Sequence, residues 1–402
     1  MDKIIKRGFL TGFLILLSCL FSLAQPYTIG HTTITFNDPN RTGGFGSGGG
    51  PGRQIQIEIY YPATMQGDNT PIDSGQFPVI IFGHGFAMSW DAYQNIWEHF
   101  VPMGYVIAFP RTEGSLIPAP SHADFGLDLK QVAEKMQLQS SDQSSPFYQA
   151  LTDRTAIIGH SMGGGASVLA AANDTNIATM VGLAPAETDP SAIAAAPDVT
   201  VPAVIFSGTS DAVTPPADNH IPIYNALSSE CKTLIHIING SHCYFANSNF
   251  NCDFAETSVG GSGTLPRLEQ HDITFDFLDL WLDYTLKQNP ASLSVFNDSL
   301  SSSSRITFEQ DCNTVITGVA QNNTALNYYP NPTSDFIILE NSQGLKDACL
   351  HIYDMYGRLL FMRKIHDAKE SEPLDFQDLP AGVYVVYLTT PDKSYIRKVI
   401  KK

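Results

Sequence analysis

The sequence predicts an α/β protein: a mostly parallel central sheet with helices on both faces, joined to a small all-β sandwich. Up to Pro290, short continuous Val/Ile/Phe runs alternate with amphipathic or small-residue stretches. That is the pattern of strands buried on both faces beneath helices. Beyond Ser294 the chain turns polar, with the run Ser299-Leu300-Ser301-Ser302-Ser303-Ser304, and then short strands separated by turn signals take over.

The chain opens with Lys3, Lys6 and Arg7, an apolar stretch from Phe9 to Leu23, and the small-residue end Ser22-Leu23-Ala24. Residues 1–24 therefore read as a secretory signal, with maturation at Gln25. A lipoprotein reading through Leu17-Ser18-Cys19 is weaker, because the apolar run continues past the cysteine. Past this segment no apolar run has the length of a membrane helix. The 402 residues carry 40 acidic and 23 basic side chains, a net charge of -17. Between residues 25 and 320 the balance is 29 acidic to 10 basic. Such a surface excludes nucleic acid and anionic membranes as partners, and a soluble extracellular monomer is expected.

Export implies an oxidising compartment. Cys231, Cys243, Cys252 and Cys312 suffice for two bridges in the main domain, with Cys243–Cys252 a local guess, and Cys349 reads as a core thiol of the C-terminal part. No CxxC or Cys/His finger spacing occurs, so no metal site is expected.

In order, the expected strands are Gln54–Tyr61, Val79–Phe82, Tyr105–Phe109, Ala156–Ile158, Met180–Leu183, Ala203–Ser207 and Thr233–Ile238. The expected helices are Trp90–Val101, Phe125–Met136, Met162–Ala172, Pro216–Leu227 and Asp272–Lys287. The glycine-rich stretch Asn40–Arg53 does not open a helix after a strand, so it reads as a surface turn rather than a phosphate loop. Ser294–Asn323 reads as a domain tail plus linker. Four further strands follow, at Phe336–Leu339, Cys349–Tyr353, Leu359–Met362 and Val383–Leu388.

The chemistry concentrates in Gly159-His160-Ser161-Met162-Gly163. The apolar run Ala156–Ile158 feeds into it and a small-residue helix leads out, the context of a nucleophile elbow. A serine needs a base and an orienting acid, in the chain order Ser, Asp, His for this class. Asp211 follows the strand Ala203–Ser207 and precedes a helix, which suits the acid; Asp218, inside that helix, ranks lower. His242 follows the strand Thr233–Ile238 at a Gly-Ser turn, which suits the base. His236 reads as a packed strand residue, His220 belongs to the helix after Asp211, and His271 precedes the last helix. An oxyanion hole needs two backbone N–H donors: Met162, after the nucleophile, and Phe86 in Gly83-His84-Gly85-Phe86. His84 lies in the loop expected to build that hole and is not read as a base. The 50 residues from Ser161 to Asp211 and the 31 from Asp211 to His242 leave no room for a helical lid.

Gly83-His84-Gly85-Phe86, Gly159 through Gly165, Ser210-Asp211-Ala212-Val213-Thr214-Pro215, and Ser241-His242 through Ser248 together resemble the bacterial cutinase and poly(ethylene terephthalate) hydrolase family over about residues 50–290. The resemblance implies an α/β-hydrolase fold and a serine esterase that needs no cofactor. It implies Ser161, Asp211 and His242 as the triad, Phe86 and Met162 as oxyanion donors, and Phe86, His160 and Val213 lining the ester subsite. Two departures stand out. Ala184-Pro185 is followed by Ala186-Glu187-Thr188-Asp189 where the family often has a tryptophan, and Gly208 occupies one position of an active-site disulfide.

The blocks Tyr329-Pro330-Asn331-Pro332, Ile352-Tyr353-Asp354-Met355-Tyr356-Gly357-Arg358, Leu379-Pro380-Ala381-Gly382-Val383-Tyr384 and Arg397-Lys398-Val399 resemble the type IX secretion sorting domain. This implies a β-sandwich read by the secretion machinery. The expected organisation is a signal at 1–24, a catalytic domain at 25–312, a linker at 313–324 and a sorting domain at 325–402. The expected function is hydrolysis of carboxylic esters, aromatic polyesters included. The alternatives are a lipase, acetylhydrolase or dienelactone-hydrolase-like enzyme on small esters, or a non-catalytic surface protein.

Overall fold

A computed structural model describes residues 27–261, 264–312, 326–341, 345–354, 359–368, 371–377, 379–389 and 394–402. The expected signal (1–24) and linker (313–324) lie outside the described residues.

The first unit is one large sheet. Its strands are β1 (Thr28–Asp38), β2 (Arg53–Ala63), β3 (Phe77–Gly83), β4 (Val106–Pro110), β5 (Leu151–His160), β6 (Thr179–Leu183), β7 (Ala203–Gly208), β8 (Cys231–Ile237) and β9 (Ile306–Cys312). They lie in the order β9-β8-β7-β6-β5-β3-β4-β2-β1. The strands from β4 through β8 pair in parallel, and β1, β2 and β9 add antiparallel edges. The glycine-rich stretch is the exposed turn between β1 and β2, with Gly44 and Phe45 pairing beside Gln54 and Ile55.

Alternation along the central strands feeds two apolar cores, one per face. Val79, Ile81 and Ile157 pack on one side with α2 (His122–Gln139), α3 (Met162–Ala171), α4 (Ala192–Ala195) and α5 (His220–Ala226). Ile80, Phe82 and Ile158 pack on the other with α1 (Gln94–Phe100) and α7 (Arg267–Thr285). The expected sheet and its flanking helices are present. α5 begins later than Pro216, because Val213 and Thr214 wrap the Asp211 carboxylate and Pro215–Asn219 then turns back on the Pro215 carbonyl.

Two elements replace the expected tail. The chain forms α8 (Pro290–Ser302) and then β9, which pairs along β8 and is bonded to it by the Cys231–Cys312 disulfide. α8 buries only Ser292, Phe296 and Leu300, one residue per turn, and its other serines are half-buried or exposed, so its sequence reads as polar. β9 is largely exposed and lacks an apolar run for the same reason. A further helix, α6 (Phe250–Ser258), is bonded to the His242 loop by the Cys243–Cys252 disulfide.

The C-terminal unit is all-β and antiparallel. β10 (Leu326–Tyr329), β11 (Phe336–Asn341) and β14 (Ser371–Asp375) form one sheet. β12 (Leu345–Asp354), β13 (Leu359–Ala368), β15 (Gly382–Thr389) and β16 (Ser394–Lys401) form the other. Ile337, Leu339, Leu350, Ile352, Val386 and Val399 share one core between the sheets. Cys349 is half-buried rather than in that core, because Ala348 and Leu350 on either side of it take the inward positions.

Candidate active site

The site lies at the carboxyl ends of the parallel strands, where loops from β3, β5, β7 and β8 converge, the usual ligand edge of an open α/β sheet. Ser161 sits between β5 and α3 with φ 56° and ψ -121°. A non-glycine residue held there stores about 1–3 kcal/mol of strain. Sterics at the turn explain the glycines around it. A Cβ on Gly159 would lie 2.1 Å from the Gly163 carbonyl oxygen, and one on Gly163 would lie 2.2 Å from that of Gly83. Backbone bonds fix the elbow further: Ser161 N–H donates to Leu183, and Ala186 N–H donates to Ser161.

Three expected residues meet here. His242 Nε2 lies 2.9 Å from Ser161 Oγ, and His242 Nδ1 lies 2.8 Å from Asp211 Oδ2. Asp211 Oδ1 accepts the amides of Val213 and Thr214, and Oδ2 also accepts the Thr214 hydroxyl. Burial presses the Asp211 pKa upward, but the hydrogen bond and charge of His242, the charge of His220 and the Thr214 amide outweigh it, so the pKa is lowered. The acid is therefore held ionised beside the imidazole.

His220 completes this side, and its role was not apparent from sequence. Its Nδ1 meets Ser207 Oγ at 2.8 Å and its Nε2 meets Thr214 Oγ1 at 3.0 Å. Burial, assisted by the charge of His242 and opposed by Asp211, lowers its pKa to about 3. Asp218 is exposed on the turn before α5. His236 is half-buried on β8, and His271 is buried against the Ala246 carbonyl. His84 is enclosed, with its ring nitrogens facing the carbonyls of Gly85 and Thr112.

The backbone of His242 is gripped from two sides. Its N–H donates to Glu256 Oε1 at 2.7 Å, while Cys243 N–H donates to Glu256 Oε2 at 3.2 Å. Burial raises the Glu256 pKa against the pull of those two amides. The His242 carbonyl accepts from His160 Nε2 at 3.0 Å. Burial, together with the charge of His242, lowers the His160 pKa to about 3, so its ring is neutral. A carbonyl only accepts, so the proton is on Nε2 and the bare Nδ1 accepts the Tyr93 hydroxyl at 2.9 Å. The Tyr93 oxygen in turn accepts the Gly85 N–H at 2.8 Å. Tyr93 and His160 thereby tie the Phe86 loop to the base.

This corrects one expectation. His160 is fully buried between Tyr93, His242 and Phe245 and lines no subsite. Val213 is half-buried and Phe86 is 45 % exposed, so both present surface. Met162 is buried at the first position of α3, where N–H groups lack intrahelical acceptors. No local motif marks Glu256 or Tyr93, and nothing local marks the contact of His220 with Thr214 beside Asp211. Only the spacing of Cys252 and Glu256 on one face of a short amphipathic stretch offered a signal.

The chain is 24% identical over 243 residues to a bis(hydroxyethyl) terephthalate hydrolase of Streptomyces coelicolor, covering 60% of this chain and 68% of the relative. It is 24% identical over 215 residues to the cutinase est1 of Thermobifida alba, covering 53% of this chain and 64% of the relative. A chlorophyllase of Citrus unshiu is 34% identical over 96 residues, 24% of this chain and 29% of that protein. Residues 327–402 match the secretion system C-terminal sorting domain. Residues 22–261 match the PET hydrolase-like family, whose members have the α/β-hydrolase fold, and the chain belongs to that family of ester hydrolases.

Proposed function

We propose that the protein is a secreted serine esterase of the cutinase and polyester hydrolase type, working through an acyl-enzyme. The observation that carries this reading is the unbroken chain from Asp211 through His242 to Ser161, with contacts of 2.8 and 2.9 Å, at a strained elbow. His242 takes the Ser161 proton as Oγ attacks the ester carbonyl. Asp211 holds the imidazole tautomer and stabilises its positive form. The amides of Phe86 and Met162 hold the oxyanion. The alcohol leaves with the proton from His242, and water activated by the same imidazole releases the acid. All the groups this scheme needs belong to the chain.

Aromatic polyesters and their hydroxyethyl esters are the proposed substrates, by kinship with the terephthalate-ester hydrolase and the cutinase. The N-terminal segment and the C-terminal unit would serve export, with the latter recognised by the type IX machinery and the domain limits as expected from sequence. No helix among the described residues is long and apolar enough to cross a membrane. Ser161→Ala tests the reading: hydrolysis of p-nitrophenyl butyrate should fall by about 10³-fold or more with the thermal transition retained. Hydrolysis surviving that change would refute it.

A further inference from the structure

α6 has two unlike faces. Cys252 and Glu256, four residues apart, point inward and hold the helix to the His242 loop through a disulfide and two amide bonds. Phe250 and Phe254, also four apart, are offset from them by two positions, about 200° around the helix. These rings are 81 % and 63 % exposed and stack at 5.9 Å with planes 16° apart. The helix under them is firmly seated. Asn249 caps its amides, Arg267 pairs with Asp253 at 2.6 Å, and Asn251 Nδ2 donates to the Ala87 carbonyl at 2.7 Å. That last bond joins α6 to the loop carrying Phe86, itself half-exposed.

We propose that Phe250 and Phe254, on the helix that the Asn251–Ala87 bond joins to the Phe86 loop, form an outer platform for the aromatic units of a polyester whose scissile ester lies at Ser161. The proposal rests on the esterase reading and names the substrate class and the surface that holds it. Two stacked aromatic rings held in water on an anchored helix expose apolar area that stacking against a flat ring would cover. The bonds of α6 to the His242 loop and to the Phe86 loop hold the rings beside the proposed triad, which makes the occupant an extension of the substrate. Glu256 is turned inward, Asp253 is paired with Arg267 and α6 carries no basic residue, so the helix offers no cation to an anionic chain and suits a neutral one. The platform also supplies aromatic surface on the His242 side, while the loop after β6, Ala184-Pro185-Ala186-Glu187, supplies none.

The test compares Phe250→Ala/Phe254→Ala with Phe250→Tyr/Phe254→Tyr in the full chain. Adsorption to amorphous poly(ethylene terephthalate) film is measured on a Ser161→Ala background, so that it does not depend on turnover. The Ala pair should weaken adsorption about five- to tenfold and the Tyr pair should restore it. On the active background, the Ala pair should lower product release from film more than hydrolysis of p-nitrophenyl butyrate. Unchanged adsorption would overturn the proposal. So would equal losses on film and soluble ester, which would mean that the rings only support the fold. A concentration-dependent dimer abolished by the Ala pair, with film adsorption intact, would assign the patch to a second copy and overturn it too. Failure of the parent on the soluble ester would instead refute the esterase reading, leaving the adsorption comparison standing.

Discussion

The two sheet-built units of this chain bury different things. The C-terminal sandwich closes over Ile, Leu and Val, and from residue 321 onward ten basic side chains balance ten acidic ones. The N-terminal unit encloses His84, His160, Asp211, His220, His242 and Glu256 near a strained serine. Buried polar groups cost free energy unless each is paired. Concentrating them at one sheet edge makes sense where chemistry needs fixed proton donors and acceptors. On the esterase reading, the contrast places the proposed chemistry in the N-terminal unit and leaves the C-terminal unit with a plain apolar core.

Acid should break the contrast most strongly. His160 and His220 have folded pKa values of about 3 against 6.5 when unfolded. Between those values the unfolded chain binds more protons, so stability is full above pH 6.5 and is lost as pH falls toward 3. Each histidine should cost roughly 2 kcal/mol of stability between pH 6.5 and 5. Thermal melts at pH 7 and pH 5 check this. His220→Gln should reduce the pH dependence, and an identical slope in that variant would contradict it.

The grip on the base gives a smaller effect. Tyr93→Phe removes both the acceptor for Gly85 N–H and the donor to His160 Nδ1. It should lower kcat about tenfold, because an unpaired buried group costs about 1–3 kcal/mol, while KM for a short ester changes little. Steady-state kinetics separate the two, and a loss confined to KM would contradict a positioning role. The smallest effect should come from the other unit. Ending the chain at residue 312 should leave kcat/KM on a soluble ester within about twofold, since each unit has its own core.

What could be read from the sequence follows the range of the forces involved. β3, β7 and the Ala156–Ile158 stretch of β5 are apolar runs whose burial on both faces shows in composition alone. The elbow is equally local, because Gly159, Ser161 and Gly163 answer to contacts within one turn and its neighbouring strand. Asp211 and His242 could be placed because chain order and strand ends constrain them. β9 and α8 could not, since a half-exposed edge strand and a helix with one buried residue per turn resemble linker. The grip on His242 was equally hidden. Glu256 and His160 meet it across 14 and 82 residues of chain, and Tyr93 reaches it only through His160, 67 residues away. His160 shows the cost of reading a motif without that packing: the position adjoins the nucleophile, yet its ring faces inward.

The central claim, that Asp211, His242 and Ser161 act as one nucleophilic unit, is tested most directly by covalent capture. A p-nitrophenyl phosphonate ester reacts by forming a P–O bond to an activated serine as p-nitrophenolate leaves. One adduct per chain is expected, on the peptide containing Ser161, with labelling slowed by about 10³-fold or more in His242→Ala. An adduct on any other residue, or labelling at an undiminished rate without His242, would contradict it.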